Sequence, residues 1–155
     1  MTELTQVIRR TVPKSRHARG EAVRHEVRVA IESSADIVAA RQQARAIAAE
    51  AGFSTCDSTL ITTAISEITR NILEYAKQGE VTISLLRKGQ KCGVQIVATD
   101  RGPGIADIAQ VMQDGYSSRK AMGMGLPGTK RLMDEFDIVS KVGLGTTVTV
   151  KKWNQ

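Results

Sequence analysis

A carboxylate and a carboxamide stand four residues apart at Glu67 and Asn71. Residues with this spacing share one face of a helix, so the two side chains would point in the same direction. Oxygen atoms of this kind suit Mg²⁺, which keeps several water molecules in its coordination shell. The pair therefore suggests a site for a hydrated magnesium ion, although taken alone it fits an ordinary solvated helix face better.

Two glycine-containing stretches follow predicted strands, at residues 100–104 (Asp-Arg-Gly-Pro-Gly) and 143–146 (Gly-Leu-Gly-Thr). The carboxylate of Asp100 could accept a hydrogen bond from an exocyclic amine, and glycines let a backbone approach a flat ligand. The second stretch would bring a backbone edge and the Thr146 hydroxyl near a purine. The alternative for both is an ordinary turn, where these residue types are common for local reasons.

Residues 123–128 (Gly-Met-Gly-Leu-Pro-Gly) begin a predicted helix. Free backbone N–H groups and the helix dipole make such a beginning an anion site. The spacing G-x-G-x-x-G also occurs in dinucleotide-binding folds, but there it follows a strand, whereas residues 116–120 are a polar loop here. A P-loop is excluded because Thr129 and Lys130 stand in the reverse of the required order. A loop-to-helix phosphate cradle remains.

Periodicity predicts the elements that position these stretches. Apolar residues alternate in the strands, and in the longest helix they recur every three or four positions. We predict an α/β (α+β) fold, a two-layer sandwich with three helices on one face of a five-stranded, mixed but mostly antiparallel sheet. The predicted strands are about 26–32, 80–87, 92–99, 137–142 and 146–152. The helices are about 36–51, 54–77 (closed by Gly79, with the stripe Ile61, Ile65, Ile68, Ile72 and Tyr75) and 125–136, and a further short helix is about 106–113.

Length and charge divide the chain into a domain and an extension. A chain of 155 residues is expected to form about one domain. Residues 1–28 hold seven of the 22 cationic residues and three of the 16 acidic ones, so they carry +4 of the net charge of +6. We predict a basic, disordered N-terminal extension over residues 1–25, with a short helix near 2–10, and a folded domain over residues 26–155.

Composition narrows the class of protein further. No apolar run is long enough to span a membrane, and the N-terminus lacks the pattern of a secretory signal. Cys56 and Cys92 are too few for a disulfide framework and have no metal-ligand spacing. These features predict a cytoplasmic protein without a membrane partner. Aromatic residues make up 3% of the chain, which argues against a nucleic-acid partner bound by base stacking.

Together, the four stretches resemble the sequence blocks of the GHKL ATP-binding superfamily, which includes gyrase, Hsp90 and the histidine kinases. The blocks occur in the superfamily's order and cover about residues 60–150. The likeness extends to the bacterial anti-sigma-factor serine kinases, the stressosome switch kinases among them, through residues 61–67, 114–117 and 125–136. This resemblance implies the Bergerat ATP-binding fold and a site for ATP and Mg²⁺.

The resemblance also implies a role for each site residue. Glu67 would be the general base, and Asn71 would bind the Mg²⁺ ion that bridges the phosphates. Asp100 would bind the adenine amino group, helped by Thr146 through water. The remaining cofactor-binding residues would let the base approach, hold phosphate oxygens or form a short lid over residues 115–122; they are Gly102, Gly104, Arg119, Lys120, Gly123, Met124, Gly125 and Leu126.

The function implied is an ATP-dependent protein serine kinase in a bacterial stress-signalling pathway. Its substrate would be a STAS-domain antagonist protein, and phosphorylation would release the kinase to bind a PP2C-type phosphatase regulator, a partner switch. The alternative is an ATP-binding anti-sigma factor that sequesters a sigma factor and acts mainly as a binding module. A histidine kinase fits poorly because His17 and His25 lie in the N-terminal segment without a dimerisation domain.

Overall fold

The structure, a computed structural model, describes residues 7–9, 20–113 and 125–154. Six strands form one sheet in the order β1-β2-β3-β4-β6-β5, and each pair of neighbours is antiparallel. The predicted two-layer fold is confirmed, but the prediction of a mixed sheet is corrected to an antiparallel one. The strands are β1 (Val7–Arg9), β2 (Glu21–Ile31), β3 (Gly79–Lys88), β4 (Lys91–Asp100), β5 (Glu135–Lys141) and β6 (Gly145–Asn154).

The helices begin at side chains that cap their free N–H groups. Asp36 accepts hydrogen bonds from the backbone N–H groups of Glu32 and Ser33, and Ser54 accepts one from Asp57 at 3.1 Å. No helix in the described part of the chain is long and apolar enough to cross a membrane. The helices are α1 (Ser34–Glu50), α2 (Thr55–Asn71), α3 (Ile108–Val111) and α4 (Gly125–Leu132), with a π-helical turn (Ile72–Ala76) directly after α2.

The core lies between one face of the sheet and the helices α1 and α2. Alternate residues of the inner strands point to this face, as the period of two requires. Apolar side chains of α1 and α2, at helical spacing, pack against these strand residues. The fully buried members with the largest side chains are Val27, Val29, Ile31, Ile47, Ile61, Ile65, Ile68, Val81, Ile83, Val94 and Ile96.

The N-terminal side of the sheet differs from the prediction. Strand β2 begins at Glu21 rather than near residue 26, and Val7–Arg9 pairs with it as a sixth strand where a short helix was predicted. The Glu21 carboxylate lies 2.9 Å from the Lys151 ammonium in a nearly buried ion pair, which ties the beginning of β2 to β6. Backbone pairing of β1 satisfies polar groups along the β2 edge. The division of the chain at residue 25 stays a prediction.

The end of the second helix also differs from the prediction. The helix was expected to continue to about Lys77 with Gly79 closing it, but α2 ends at Asn71 and a π-helical turn follows. Lys77 ends that turn at a φ of 71°. Because a π-helical turn holds more residues than an α-helical one, Tyr75 leaves the buried stripe and is exposed.

We expect Ile83→Ala to lower the free energy of unfolding by about 2–5 kcal/mol, the usual cost of truncating a fully buried isoleucine. The measurement is urea denaturation followed by circular dichroism. Val139→Ala on the edge strand, where the side chain is 63% exposed, is the matched control and should change stability by about 0.5 kcal/mol or less. Equal effects of the two substitutions would contradict this placement of the core.

Candidate functional site

Helix α2 supplies three polar side chains to one side of a cavity. Glu67 and Asn71 are four residues apart and Arg70 lies between them, and all three line the cavity. The Glu67 carboxylate is held by its neighbour, since Arg70 Nη1 lies 2.7 Å from Glu67 Oε1. On the other side of the same helix, Ile65 is buried in the core, and Ile68, at the margin of the cavity, is buried as well. Core packing therefore orients the polar side of α2.

The opposite wall of the cavity is the end of the sheet. Asp100 is the last residue of β4 and pairs with Gly79 on one side and Thr146 on the other. Its Oδ1 atom accepts a hydrogen bond from the backbone N–H of Gly102 at 2.9 Å. The Asp100 carboxylate is thus fixed by three strands and by the turn that follows it.

Glycines allow the loop after Asp100 to lie against its neighbours. A Cβ on Gly145 would be 2.1 Å from the Asp100 carbonyl oxygen, and one on Gly104 would be 2.3 Å from the Lys141 carbonyl oxygen. Both glycines have positive φ, at 122° and 77°. Gly102 packs against Ala76 of the π-helical turn in the same way. The loop is therefore clamped between that turn and the β5–β6 hairpin.

Ser140 connects three segments at this end of the sheet and was not identified from the sequence. Its Oγ atom accepts from the Ile105 N–H at 2.7 Å and contacts Thr146 Oγ1 at 2.7 Å and the Gly145 carbonyl oxygen at 3.2 Å. A serine hydroxyl has one proton, so Ser140 donates either to the Gly145 carbonyl or to Thr146, and both contacts fix the position of Thr146 beside the cavity. The only signal in the sequence is a polar residue at an inward position of β5.

The cavity enclosed by these elements has a volume of about 380 Å³. It brings together most of the predicted site residues that the structure describes, whereas Gly102 is not among the residues that line it. Arg119, Lys120, Gly123, Met124 and the predicted lid over residues 115–122 lie outside the described residues. The predicted residues that line the cavity are Glu67, Asn71, Asp100, Gly104, Gly125, Leu126 and Thr146.

The chemistry of the walls fits a nucleotide and a hydrated cation. Near Asp100 the walls include Ala98 and Val148, which suit a flat ring whose amine reaches a carboxylate. At the other side, α4 begins at the cavity with Gly125, where backbone N–H groups favour anions. No cluster of three or more His, Cys, Asp or Glu suited to a metal occurs within residues 20–113 and 125–154, so a magnesium ion here would rely on Asn71, water and phosphate oxygens.

This fold and this cavity define an ATP-binding domain, and the comparison with protein families agrees. The family model described as the histidine kinase-like ATPase domain matches residues 30–152. That range contains α1, α2 and all the described residues that line the cavity. The chain therefore belongs to the histidine kinase-like ATPase family and uses ATP.

Within that family the chain is a GHKL-type anti-sigma kinase. It is 52% identical to the serine/threonine-protein kinase RsbT of Bacillus subtilis (strain 168) over 118 residues. This region covers 76% of this chain and 89% of RsbT. It is 33% identical over 99 residues to the anti-sigma F factor of Thermoanaerobacter sp. (strain X514), covering 60% of this chain and 68% of the factor. The class of protein predicted from the four sequence stretches, a GHKL-type anti-sigma-factor kinase, is confirmed.

A solved structure agrees with the fold. The crystal structure of the RsbU and RsbW domains of a Mycobacterium tuberculosis protein matches 83% of this chain with a TM-score of 0.56 and 24% identity. The chain spans 33% of the length of that protein. At this identity the likeness concerns the fold alone.

We expect Gly145→Ala to weaken ATP binding at least about tenfold, which corresponds to 1.4 kcal/mol. The new methyl group would push the β5–β6 hairpin away from the Asp100 carbonyl and misplace Thr146. Gly143→Ala is the matched control, because Gly143 also has a positive φ of 82° but a Cβ there meets nothing within 4 Å. Titration with a fluorescent ATP analogue measures the affinity of both variants. Equal losses of affinity would show that backbone strain, and not the contact with the Asp100 carbonyl, weakens binding.

Proposed function

We propose that this chain is an ATP-dependent protein serine kinase whose substrate is a STAS-domain antagonist protein. The observation that carries the proposal is the single cavity that holds Glu67, Asn71 and Asp100 together, in a chain 52% identical to a serine/threonine-protein kinase. Asp100 binds the adenine amino group, with Thr146 helping through a water molecule. Gly104 lets the base approach, and the beginning of α4 holds phosphate oxygens.

Glu67 acts as the general base in this proposal. It accepts the proton of the substrate serine hydroxyl while that oxygen bonds to the terminal phosphorus of ATP. The bond from this phosphorus to the bridging oxygen breaks, and ADP leaves with the electron pair. Positioning by the helix and by backbone N–H groups supplies most of the remaining rate enhancement.

The charge of the cavity supports a metal partner for ATP. Among the described lining residues there are four carboxylates and one cation, Arg70. A triphosphate would be repelled by these carboxylates unless positive charge arrived with it. We propose that Asn71 would hold a Mg²⁺ ion, which would supply positive charge beside the phosphates. Arg119 and Lys120, outside the described residues, would add cationic contacts from a lid.

Phosphorylation would also switch the partner of the kinase. A phosphate adds negative charge to a docked surface and can disrupt the complex by repulsion and desolvation. The released kinase would then bind a PP2C-type phosphatase regulator, as part of stressosome signalling in the bacterial cytoplasm. Similarity to anti-sigma F factor favours one second candidate, an ATP-binding module that sequesters a sigma factor without turnover.

We expect wild-type protein, incubated with ATP, Mg²⁺ and a purified STAS-domain protein, to form phosphoserine on that protein. Glu67→Ala should lower the rate by about 10²–10⁴-fold, the usual contribution of a general base, and should leave nucleotide affinity within about twofold. Mass spectrometry of the STAS protein gives the site and the rate.

The matched control removes one carboxylate elsewhere: Asp137→Ala, on the exposed side of β5, should transfer phosphate at the wild-type rate. If the wild-type protein phosphorylates nothing and captures a sigma factor equally well before and after incubation with ATP, the binding module is the correct function. If Glu67→Ala phosphorylates at the wild-type rate, another residue is the base.

We expect Mg²⁺ to strengthen ATP binding to the wild-type protein by about tenfold or more, and Asn71→Ala to lose most of this gain. The reason is that the variant lacks the oxygen ligand while the carboxylates that repel phosphate remain. Titrations with a fluorescent nucleotide, with magnesium and with a chelator, give the affinities of the wild type and of Asn71→Ala under both conditions. Gln110→Ala, another carboxamide of the cavity lining, should keep the full magnesium effect.

A further inference from the structure

Arg70 contacts the carboxylate to which the proposed function gives the role of general base. The guanidinium Nη1 lies 2.7 Å from Glu67 Oε1, three residues earlier on α2. The Glu67 side chain is 12% exposed and that of Arg70 is 43% exposed. A charge-assisted hydrogen bond of this length is one of the stronger kinds. The orientation of Glu67 thus depends on a neighbour that the sequence blocks do not include.

This contact distinguishes the two oxygens of Glu67. Oε1 accepts from Arg70, and within the described part of the chain no hydrogen bond to Oε2 is found. We propose, on the basis of the kinase function above, that Arg70 is a positioning residue for Glu67. It holds the carboxylate through Oε1 so that Oε2 is the oxygen that takes the serine proton.

The contact can persist through the proton transfer. As the serine oxygen bonds to phosphorus, its proton moves to Oε2 of Glu67. Oε1 then becomes the carbonyl oxygen of a carboxylic acid, which still accepts a hydrogen bond from Arg70. Arg70 therefore needs no rearrangement during the step, and ADP takes the electron pair of the broken bond.

A different role for Arg70 predicts different kinetics. It is the single cation among the described lining residues, so the competing role is a direct contact with ATP phosphates. A phosphate contact made before the chemical step would raise the KM for ATP when it is lost. A positioning role would lower kcat and leave the KM for ATP unchanged.

The experiment is a double-mutant cycle on phosphoserine formation, with wild type, Arg70→Ala, Glu67→Ala and the double variant. We expect Arg70→Ala to lower kcat by about 10–100-fold, the effect of misplacing a reacting group by a fraction of an ångström to 1 Å. The KM for ATP should stay within about twofold, and the substitution should have no effect where Glu67 is already alanine. Arg70→Lys, which keeps one donor, should recover most of the rate.

The matched control is Arg87→Ala, which removes the same charge near the end of β3, where Arg87 Nε donates to the Gly89 carbonyl. Additive losses in the cycle, or a raised KM for ATP, would overturn the positioning role. Thermal unfolding checks that Arg70→Ala is folded; if it is not, Arg70→Gln, which removes the charge, takes its place in the cycle.

Failure of the proposed function gives a separate result. If the wild type forms no phosphoserine, that proposal has failed, and the cycle is then measured on ADP release, with water as the acceptor that Glu67 orients. The same non-additivity there supports the role of Arg70 independently of the protein substrate. Additivity there, or no ADP release by the wild type, rules the role out.

Discussion

The contact between Gly145 and the Asp100 carbonyl is the constraint on which the rest of the site depends. No side chain fits there, because a Cβ would be 2.1 Å from the oxygen. Gly145 closes the β5–β6 hairpin by pairing with Lys141, and the next residue, Thr146, pairs with Asp100. One close approach therefore sets the separation of a hydroxyl and a carboxylate on neighbouring strands, and it brings the hairpin against the loop that holds Gly104.

Helix α2 forms the other wall, and the same packing that builds the core aims its polar residues. Ile65 and Ile68 are buried against the sheet, so the helix cannot rotate without exposing them. Glu67 and Asn71 lie together to one side of these buried residues and line the cavity as a consequence. Burial of each isoleucine stabilises the fold by about 1.5–3 kcal/mol. The buried residues of α2 therefore hold its polar residues in place at the cavity.

The elements and most of the site could be predicted from the sequence because their signals are local or repeat along the chain. The alternation of apolar and polar residues did not predict the beginning of β2. A register shift between Val23 and His25 interrupts the period of two there. The helical period failed at Tyr75, where a π-helical turn changes the phase. Ser140 was missed because its partners lie on other segments, with Gly145 and Thr146 across the hairpin and Ile105 in a loop 35 residues earlier. No pattern along one strand reports contacts of that kind.

The two carboxylates of the cavity face different parts of the nucleotide in the proposed function, and their charge has different consequences there. In the proposed function, Asp100 at the sheet end binds a neutral base, so a carboxylate there is compatible with tight binding. Glu67 at the helix wall lies where phosphate charge would gather, and an unshielded carboxylate would oppose ATP. The 2.7 Å pair with Arg70 offsets part of that repulsion and a magnesium ion would offset more. When the phosphoryl group leaves with the substrate serine, negative charge leaves the neighbourhood of Glu67. Once Glu67 has given up the proton that it accepted, its carboxylate repels the phosphoserine, and in the proposed function this favours release of the phosphorylated product.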